Sequence, residues 1–289
     1  MEERLGFVSD GLKLAGVLHL PEPPGPGERR AAFLVLHGFG SNKDGGGGTA
    51  VAKMLAGLGY AALRFDFRGC GESEGGRGRV ICMEQVRDAR NALSFLAARP
   101  DIDAKRIGVV GQSFGAAVAV YAAGVDRRFA ACISSGGWGD GAKKFRKQHA
   151  SPRAWKKFTA MMKEGKRLKR AGKPMSVPRY DIVPIPARLR GNLAPGSIME
   201  FPFEVVESMV AFNANEVVGR IAPRPLLLLH SANDSVTPTE QSVELFVRAG
   251  KPTDLHLIAD VDHFMFSESN TLVVNLVRNW LAKYFPPQA

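Results

Sequence analysis

Cysteine is scarce in this chain, with three residues among 289. Cys70, Cys82 and Cys132 are an odd number and are not spaced as metal ligands, which excludes a disulfide-stapled scaffold and a thiolate zinc site. No cluster of histidine, cysteine and carboxylate residues has metal-ligand spacing either, so we expect no metal. Reduced thiols are typical of a cytoplasmic protein, and we predict that location.

Long hydrophobic runs are also missing. No stretch of about 18 uncharged apolar residues is present, so no transmembrane helix is expected. The acidic start of the chain has no apolar centre, so we expect no signal peptide. The run Gly45–Gly48 lacks the lysine and serine or threonine of a phosphate loop and does not follow a strand as a dinucleotide fingerprint would. We interpret it as a flexible loop at the mouth of a site, and we expect no cofactor.

A serine stands where a strand is expected to turn sharply into a helix. The segment Gly111-Gln112-Ser113-Phe114-Gly115 separates the apolar run 107–110 from the helix-forming run 116–123. Such a turn exposes a serine hydroxyl at the edge of the sheet and directs backbone N–H groups toward it. The same five-residue pattern recurs around Ser73, but no helix-forming segment follows and two carboxylates would repel a developing oxyanion. The context therefore favours Ser113 as the nucleophile.

A serine nucleophile needs a base and an acid that orients the base. Downstream of Ser113, the buried strand 225–230 leads to Asp234, and the strand 254–258 leads to His263. All three residues follow carboxyl ends of strands, where open parallel sheets place their chemistry. The order Ser, Asp, His is that of sheet hydrolases with this kind of turn. We predict a triad of Ser113, Asp234 and His263.

Other residues could take some of these roles. Asp260 and Asp262 flank the predicted base and could orient it in place of Asp234, which itself could be a turn residue or helix cap. His256 and His230 are interpreted as packed histidines within strands. His37 is interpreted as a structural hydrogen-bonding residue.

These stretches together resemble an α/β-hydrolase. The chain is most similar to the cinnamoyl/feruloyl esterase-like and dienelactone hydrolase-like serine hydrolases, and prolyl-oligopeptidase-type catalytic domains are close by. Matching stretches include Leu36-His37-Gly38-Phe39-Gly40 and residues 64–73, and the resemblance covers roughly residues 5–137 and 221–285. It implies an oxyanion hole formed by the backbone N–H groups of Phe39 and Phe114.

The alternation of elements predicts the α/β class, with a mostly parallel central sheet and helices on both faces. We expect residues 1–137 and 221–289 to form the α/β-hydrolase core, and residues 138–220 to be an inserted basic helical cap. The expected strands are 5–9, 13–20, 32–36, 61–67, 106–110, 131–134, 225–230 and 254–258. The expected helices of the core are 49–58, 83–98, 114–124, 239–249 and 267–285, and residues 21–27 are expected to form a loop.

The positive charge is concentrated in that insertion. Residues 141–190 contain 16 Lys and Arg but only two acids, whereas the whole chain has a net charge of +11. An amphipathic helix is predicted from Ser151-Pro152 to Gly172, with an apolar stripe that includes Trp155 and Phe158. A second helix is predicted over 203–212. The basic surface could be a solvated face, an entrance that attracts anionic substrates, or a contact with an anionic membrane surface.

The sequence predicts a cytoplasmic serine hydrolase that cleaves carboxylic ester bonds through an acyl-enzyme intermediate. Alternatives are a thioesterase acting on acyl-CoA or other thioesters, and a peptidase or amidase of the prolyl-oligopeptidase type. A non-catalytic binding protein on the same fold is a further alternative from another class. The expected partner is a small ester or thioester, anionic if the basic surface attracts it, and no nucleic-acid partner is expected.

Overall fold

One central sheet organises the chain. The structure is a computed structural model that describes residues 1–21, 29–266 and 271–288. Its strands are β1 (Glu2–Ser9), β2 (Leu12–His19), β3 (Arg30–Leu36), β4 (Ala61–Phe65), β5 (Ile102–Gln112), β6 (Phe129–Ser135), β7 (Ser176–Pro178), β8 (Glu200–Pro202), β9 (Leu226–Ser231) and β10 (Thr253–Ile258). Eight of them form the central sheet in the order β1-β2-β4-β3-β5-β6-β9-β10.

Helices connect the parallel strands. They are α1 (Gly46–Gly57), α2 (Cys82–Ala97), α3 (Phe114–Val125), α4 (Gly141–Gln148), α5 (Pro152–Arg170), α6 (Arg179–Ile182), α7 (Phe203–Ala211), α8 (Glu240–Arg248) and α9 (Thr271–Tyr284). Short 3₁₀ turns cover Ala187–Asn192, Ala214–Glu216 and Val218–Arg220. The β1–β2 and β2–β4 pairs are antiparallel, and every other pair within the central sheet is parallel.

Both faces of the sheet are covered, as its apolar strands require. Side chains alternate across a strand, so Leu34 of β3 joins the core cluster that includes α2 and α3. Its neighbours Phe33 and Val35 join the opposite cluster with α1 and α9. The predicted fold class, a mostly parallel sheet with helices on both faces, is confirmed.

Most predicted core elements are present, with shifted ends. Strand β5 begins earlier than predicted because Ile102 pairs with Arg30 beyond an irregularity in the ladder. Helix α1 begins at Gly46, so the glycine run is not wholly a loop as predicted: three of its four residues form the first turn. The predicted loop over 22–27 and the start of the last helix, 267–270, lie outside the described residues.

Residues 138–220, here called the inserted segment, contain more structure than the sequence indicated. Helix α5 ends at Arg170, close to its prediction, and Ser151 caps it by accepting the Ala154 N–H. Helix α4 and the antiparallel pair β7–β8 were not predicted. Three-residue strands carry too little alternation to be recognised in a sequence.

Candidate active site

Ser113 lies at the apex of a strained turn between β5 and α3. Its φ of 54° and ψ of −116° put a non-glycine residue in the left-handed half of conformational space. A Cβ on Gly111 would lie 2.1 Å from the Gly115 carbonyl oxygen, and one on Gly115 would lie 2.4 Å from the Leu36 carbonyl oxygen. The turn therefore closes only with glycine at both positions, which is the physical reason for the five-residue pattern.

The structure brings the three predicted triad residues together. Ser113 Oγ lies 2.7 Å from His263 Nε2, and His263 Nδ1 lies 2.8 Å from Asp234 Oδ2. A carboxylate only accepts, so Nδ1 carries a proton and Nε2 is left to accept the Ser113 hydroxyl. Asp234 and His263 have almost no exposed side-chain area. This is the arrangement that a general base needs to activate a hydroxyl.

Asp234 is fixed from several sides. Its Oδ1 accepts the Val236 and Thr237 N–H groups, each at 2.7 Å. Burial by itself would raise the pKa of Asp234, but the charge of His263 and hydrogen bonds from His230 and His263 hold that pKa well below its ordinary value. The carboxylate is therefore charged at neutral pH and accepts the proton that His263 Nδ1 carries.

His230, which the sequence predicts to be a packed histidine, also contacts the loop that holds Asp234. Its Nδ1 lies 2.6 Å from Ser242 Oγ, and its Nε2 lies 3.0 Å from the Thr237 carbonyl and 3.3 Å from Asp234 Oδ2. Because a carbonyl only accepts, Nε2 carries the proton and points it at the loop that holds Asp234. The position of His230 at the end of a buried strand gave no signal for this contact.

The rival carboxylate Asp262 has other partners. It accepts hydrogen bonds from the Ser235 and His263 backbone N–H groups and from Arg188, at 2.9, 2.8 and 2.6 Å. These bonds join the aspartate and histidine loops. The imidazole Nδ1 is instead directed at Asp234.

The remaining alternatives have structural surroundings. Ser73 Oγ donates to the Asp66 carbonyl and accepts the Ala15 N–H, so it holds a loop against β2. His37 Nε2 accepts the Phe67 N–H at 3.2 Å, and its Nδ1 donates to the Gly38 carbonyl at 2.9 Å. His256 is half-buried on the edge strand β10.

Two backbone amides near Ser113 are available for an oxyanion. A Cβ on Gly38 would lie 3.6 Å from Ser113 Cβ, so the loop that carries Phe39 passes directly beside the serine. Phe114 is the first residue of α3, where the amide has no acceptor within the helix. Within residues 29–266, no acceptor contacts the amide of Phe39 or Phe114.

A pocket opens over these groups. Its floor includes Ser113 and His263, and Gly45–Gly48 lie along its wall. A Cβ on Gly46 or Gly48 would meet nothing within 4 Å, so there is free space next to these two glycines. The inserted segment supplies the opposite wall, through Arg179, Val183, Ile185, Asn192 and Leu193.

Among the basic residues of the inserted segment, Arg179 is the one that lines this pocket. The apolar stripe of α5 turns inward, where Trp155 and Phe158 stack at 5.8 Å between ring centroids. The lysines of α5 therefore cover an outer surface, not the pocket wall. No sequence signal distinguished Arg179 from the other 15 basic residues of the window.

Two classes of feature are not found in the part of the chain that the structure describes. No group of three or more His, Cys, Asp or Glu side chains is placed to hold a metal ion. No described helix is both long enough and apolar enough to cross a membrane.

The fold and the site define an α/β hydrolase, and the comparisons agree. The family described as serine aminopeptidase, S33 matches residues 27–270, and the chain belongs to this family. A curated relative, a thiohydrolase from Eupenicillium brefeldianum, is 26% identical over 275 residues, which cover 88% of this chain and 84% of the relative.

Two solved structures share the fold. The α/β hydrolase GrgF from Penicillium sp. sh18 superposes with a TM-score of 0.78 at 21% identity, over 98% of this chain and 99% of the other. Est1E from Butyrivibrio proteoclasticus, solved with ferulic acid bound, superposes with a TM-score of 0.70 at 18% identity, over 97% and 98% of the two chains. The resemblance to α/β hydrolases is therefore confirmed, and the chain is a hydrolase by family.

Proposed function

We propose that this protein is a serine hydrolase that cleaves carboxylic ester bonds through an acyl-enzyme intermediate. The observation that carries the proposal is the continuous hydrogen-bonded chain from Ser113 through His263 to Asp234 at the floor of an open pocket. The roles of these residues follow from what each atom can donate or accept.

In the first half of the reaction, Ser113 Oγ attacks the substrate carbonyl carbon as His263 Nε2 takes the hydroxyl proton. The carbonyl electrons move to the oxygen, which the Phe39 and Phe114 amides bind, and Asp234 stabilises the imidazolium. Collapse of this intermediate expels the alcohol, which receives the proton from His263. Water then repeats the sequence on the acyl-enzyme and releases the acid.

A thioester is the second candidate substrate, because a relative aligned over most of the chain is named a thiohydrolase. The same attack applies, with a thiol as the leaving group. The family description also keeps open a peptidase or amidase. The fold alone does not separate these acyl bonds.

The inserted segment acts in this proposal as a cap. It supplies five of the residues that line the pocket, so it would contact the acyl or leaving group. Its contacts in the pocket are apolar apart from Arg179 and Asn192, which suits a largely neutral substrate. The three cysteines are buried and free, consistent with the cytoplasmic location that we propose.

The test of the nucleophile is covalent labelling with a fluorophosphonate probe. We expect the wild-type chain to be labelled and Ser113→Ala to be unlabelled, with ester hydrolysis lost by about 10⁴-fold or more. Ser73→Ala is the matched control, since this serine has the same five-residue pattern but a structural position. Labelling that survives in Ser113→Ala, or is absent from the folded wild-type chain, would contradict the proposal and favour a non-catalytic binding protein.

The acyl bond is identified by comparing kcat/KM for a neutral short-chain aryl ester and an acyl-CoA thioester of equal acyl length, with Ser113→Ala as the blank. We expect the ester to be preferred. A thioester preference beyond its intrinsic reactivity would replace the first candidate with the second.

A further inference from the structure

The loop that carries the Phe39 amide is held from the inserted segment. The Ile198 N–H donates to the Gly40 carbonyl at 2.8 Å, and Asn42 Nδ2 donates to the Pro195 carbonyl at 2.8 Å. The Phe39 ring stacks on Phe201 of β8, with centroids 4.2 Å apart. The inserted segment therefore touches this loop at Phe39 itself and at two residues that follow it.

Arg179 makes the most direct of these contacts. Its Nη2 donates to the Phe39 carbonyl at 2.5 Å, and its Nη1 donates to the Ile198 carbonyl at 2.7 Å. The guanidinium carbon lies 5.4 Å from the centre of the Phe39 ring. One side chain thus binds both the oxyanion loop and the strand region that supports it.

The positive charge of Arg179 is buried and has no carboxylate partner among the described residues. Arg179 is 3% exposed, and within the described residues no carboxylate forms an ion pair with it. Two other buried cations are paired, Lys43 with Asp66 and Arg68 with Asp88. Buried Lys144 has no carboxylate partner among the described residues and lies over the rings of Trp138 and Phe145. Burial lowers the pKa of Arg179 to about 10, so the guanidinium still carries its charge at neutral pH.

A buried cation without a counter-ion is costly to keep for stability alone. Such a cation is favourable beside an atom on which negative charge develops during a reaction. A charge that is already fixed in a site of low dielectric stabilises the developing charge without any rearrangement of its surroundings. The wall of the pocket beside Phe39 is such a place, since the oxyanion would form at the Phe39 amide.

We propose that Arg179 is a positioning residue for hydrolysis: it holds the Phe39 amide toward the substrate carbonyl, and its charge favours the oxyanion over the neutral carbonyl. This inference rests on the proposed function. It makes the inserted segment part of the catalytic arrangement as well as a cover for the pocket.

The test compares Arg179→Met and Arg179→Lys with the wild type on a neutral aryl ester. Arg190→Met is the matched control, because Arg190 also bonds a backbone carbonyl, that of Ile185, and stacks on an aromatic ring, Tyr180. We expect Arg179→Met to lower kcat by about 10–100-fold with KM changed less than about 3-fold, by analogy with losing one oxyanion donor. Arg190→Met should remain within about 3-fold of the wild type.

Two readouts separate this role from a merely structural one. Affinity for a trifluoromethyl ketone, which forms a tetrahedral adduct at the serine, should fall in Arg179→Met by the same factor as kcat/KM. Arg179→Lys should recover part of the rate and show a new loss of kcat at alkaline pH, because a buried ammonium loses its proton more readily than a guanidinium.

Failure of the proposed function and failure of the Arg179 inference give different results. If the wild type is not labelled at Ser113 and hydrolyses no acyl substrate, the proposed function fails. If the wild type is active but Arg179→Met keeps its kcat and ketone affinity, or loses rate only on esters with an anionic acyl group, the inference is overturned. If Arg179→Met does not fold, Arg179→Lys provides the test instead. The inference is rejected if Arg179→Lys has the same pH profile of kcat and the same ketone affinity as the wild type.

Discussion

At the scale of single residues, the two oxygens of Asp234 have different partners. Oδ2 faces the imidazole of His263, whereas Oδ1 accepts two backbone N–H groups of its own loop. The loop thus fixes the carboxylate without competing for the oxygen that faces His263. In the proposed mechanism, this division lets an aspartate that follows β9 serve both as a turn residue and as the acid that orients the base, two interpretations that the sequence left open.

Replacing Asp234 with asparagine should therefore disable the base while the loop stays formed. The carbonyl oxygen of the introduced amide can still accept the two backbone N–H groups, but its NH₂ group would favour the wrong tautomer of His263. We expect kcat for the aryl ester to fall by about 10³–10⁴-fold, with the far-UV and near-UV circular dichroism spectra unchanged.

Asp262→Asn is the control for that substitution, because Asp262 bonds Ser235 and Arg188 but not the imidazole. Its kcat should stay within about 10-fold of the wild type. Equal losses in the two variants would show that the aspartates act together and that Asp234 has no special role.

At the scale of elements, the inserted segment is packed through a close contact between α5 and α7. Gly165 is buried in the middle of α5, and a Cβ there would lie 2.2 Å from Cδ2 of Phe203. Phe203 is itself buried, so its ring has little room to move. The glycine permits the two helices to approach, at a cost in helix propensity.

Gly165→Ala should destabilise the protein by about 1–3 kcal/mol, because overpacking outweighs the gain of about 1 kcal/mol in helix propensity. The free energy of unfolding from urea titration measures the effect. Gly57→Ala, at the end of α1 where a Cβ meets nothing within 4 Å, supplies the same chemical change without the clash. It should be neutral or slightly stabilising, and equal effects at both positions would contradict the packing argument.

At the scale of the whole molecule, one buried carboxylate links the end of α3 to α2 through ion pairs with half-exposed arginines. Asp126, directly after α3, accepts hydrogen bonds from Arg128 at 2.7 Å and from Arg90 of α2 at 3.1 Å. Burial alone would raise the pKa of Asp126, but the bonds from the Arg128 side chain and backbone and from Arg90 lower it to about 2.

This shift predicts a loss of stability in acid. The unfolded chain binds a proton at the ordinary carboxylate pKa, so the stabilisation is complete above about pH 4 and disappears as the pH falls toward 2. The difference in unfolding free energy between wild type and Asp126→Asn should be larger at pH 6 than at pH 3 by about 0.5–1 kcal/mol, allowing for solvent screening. Asp103→Asn is the control, because the Asp103 carboxylate accepts the Lys105 N–H. If the difference in unfolding free energy between the wild type and Asp126→Asn does not change with pH, the pKa shift assigned to Asp126 is wrong.

The sequence by itself was sufficient for the features that depend on local pattern. The serine turn is marked by two glycines that no other residue can replace, and the apolar strands before Asp234 and His263 place both residues at one edge of a parallel sheet. The alternation of strands and helices determined the fold class for the same reason, since period-two and period-3.6 patterns leave few ways to bury the apolar faces.

Only the tertiary structure decided the contacts between residues distant in the chain. It directed the imidazole of His263 to Asp234 and left Asp262 to join two loops, a choice between carboxylates that spacing cannot make. It also placed Arg179 against Phe39, 140 residues away, while the lysines of α5 cover an outer surface. A run of basic residues shows how much charge a segment carries, but the direction of each side chain depends on the surfaces that pack around it.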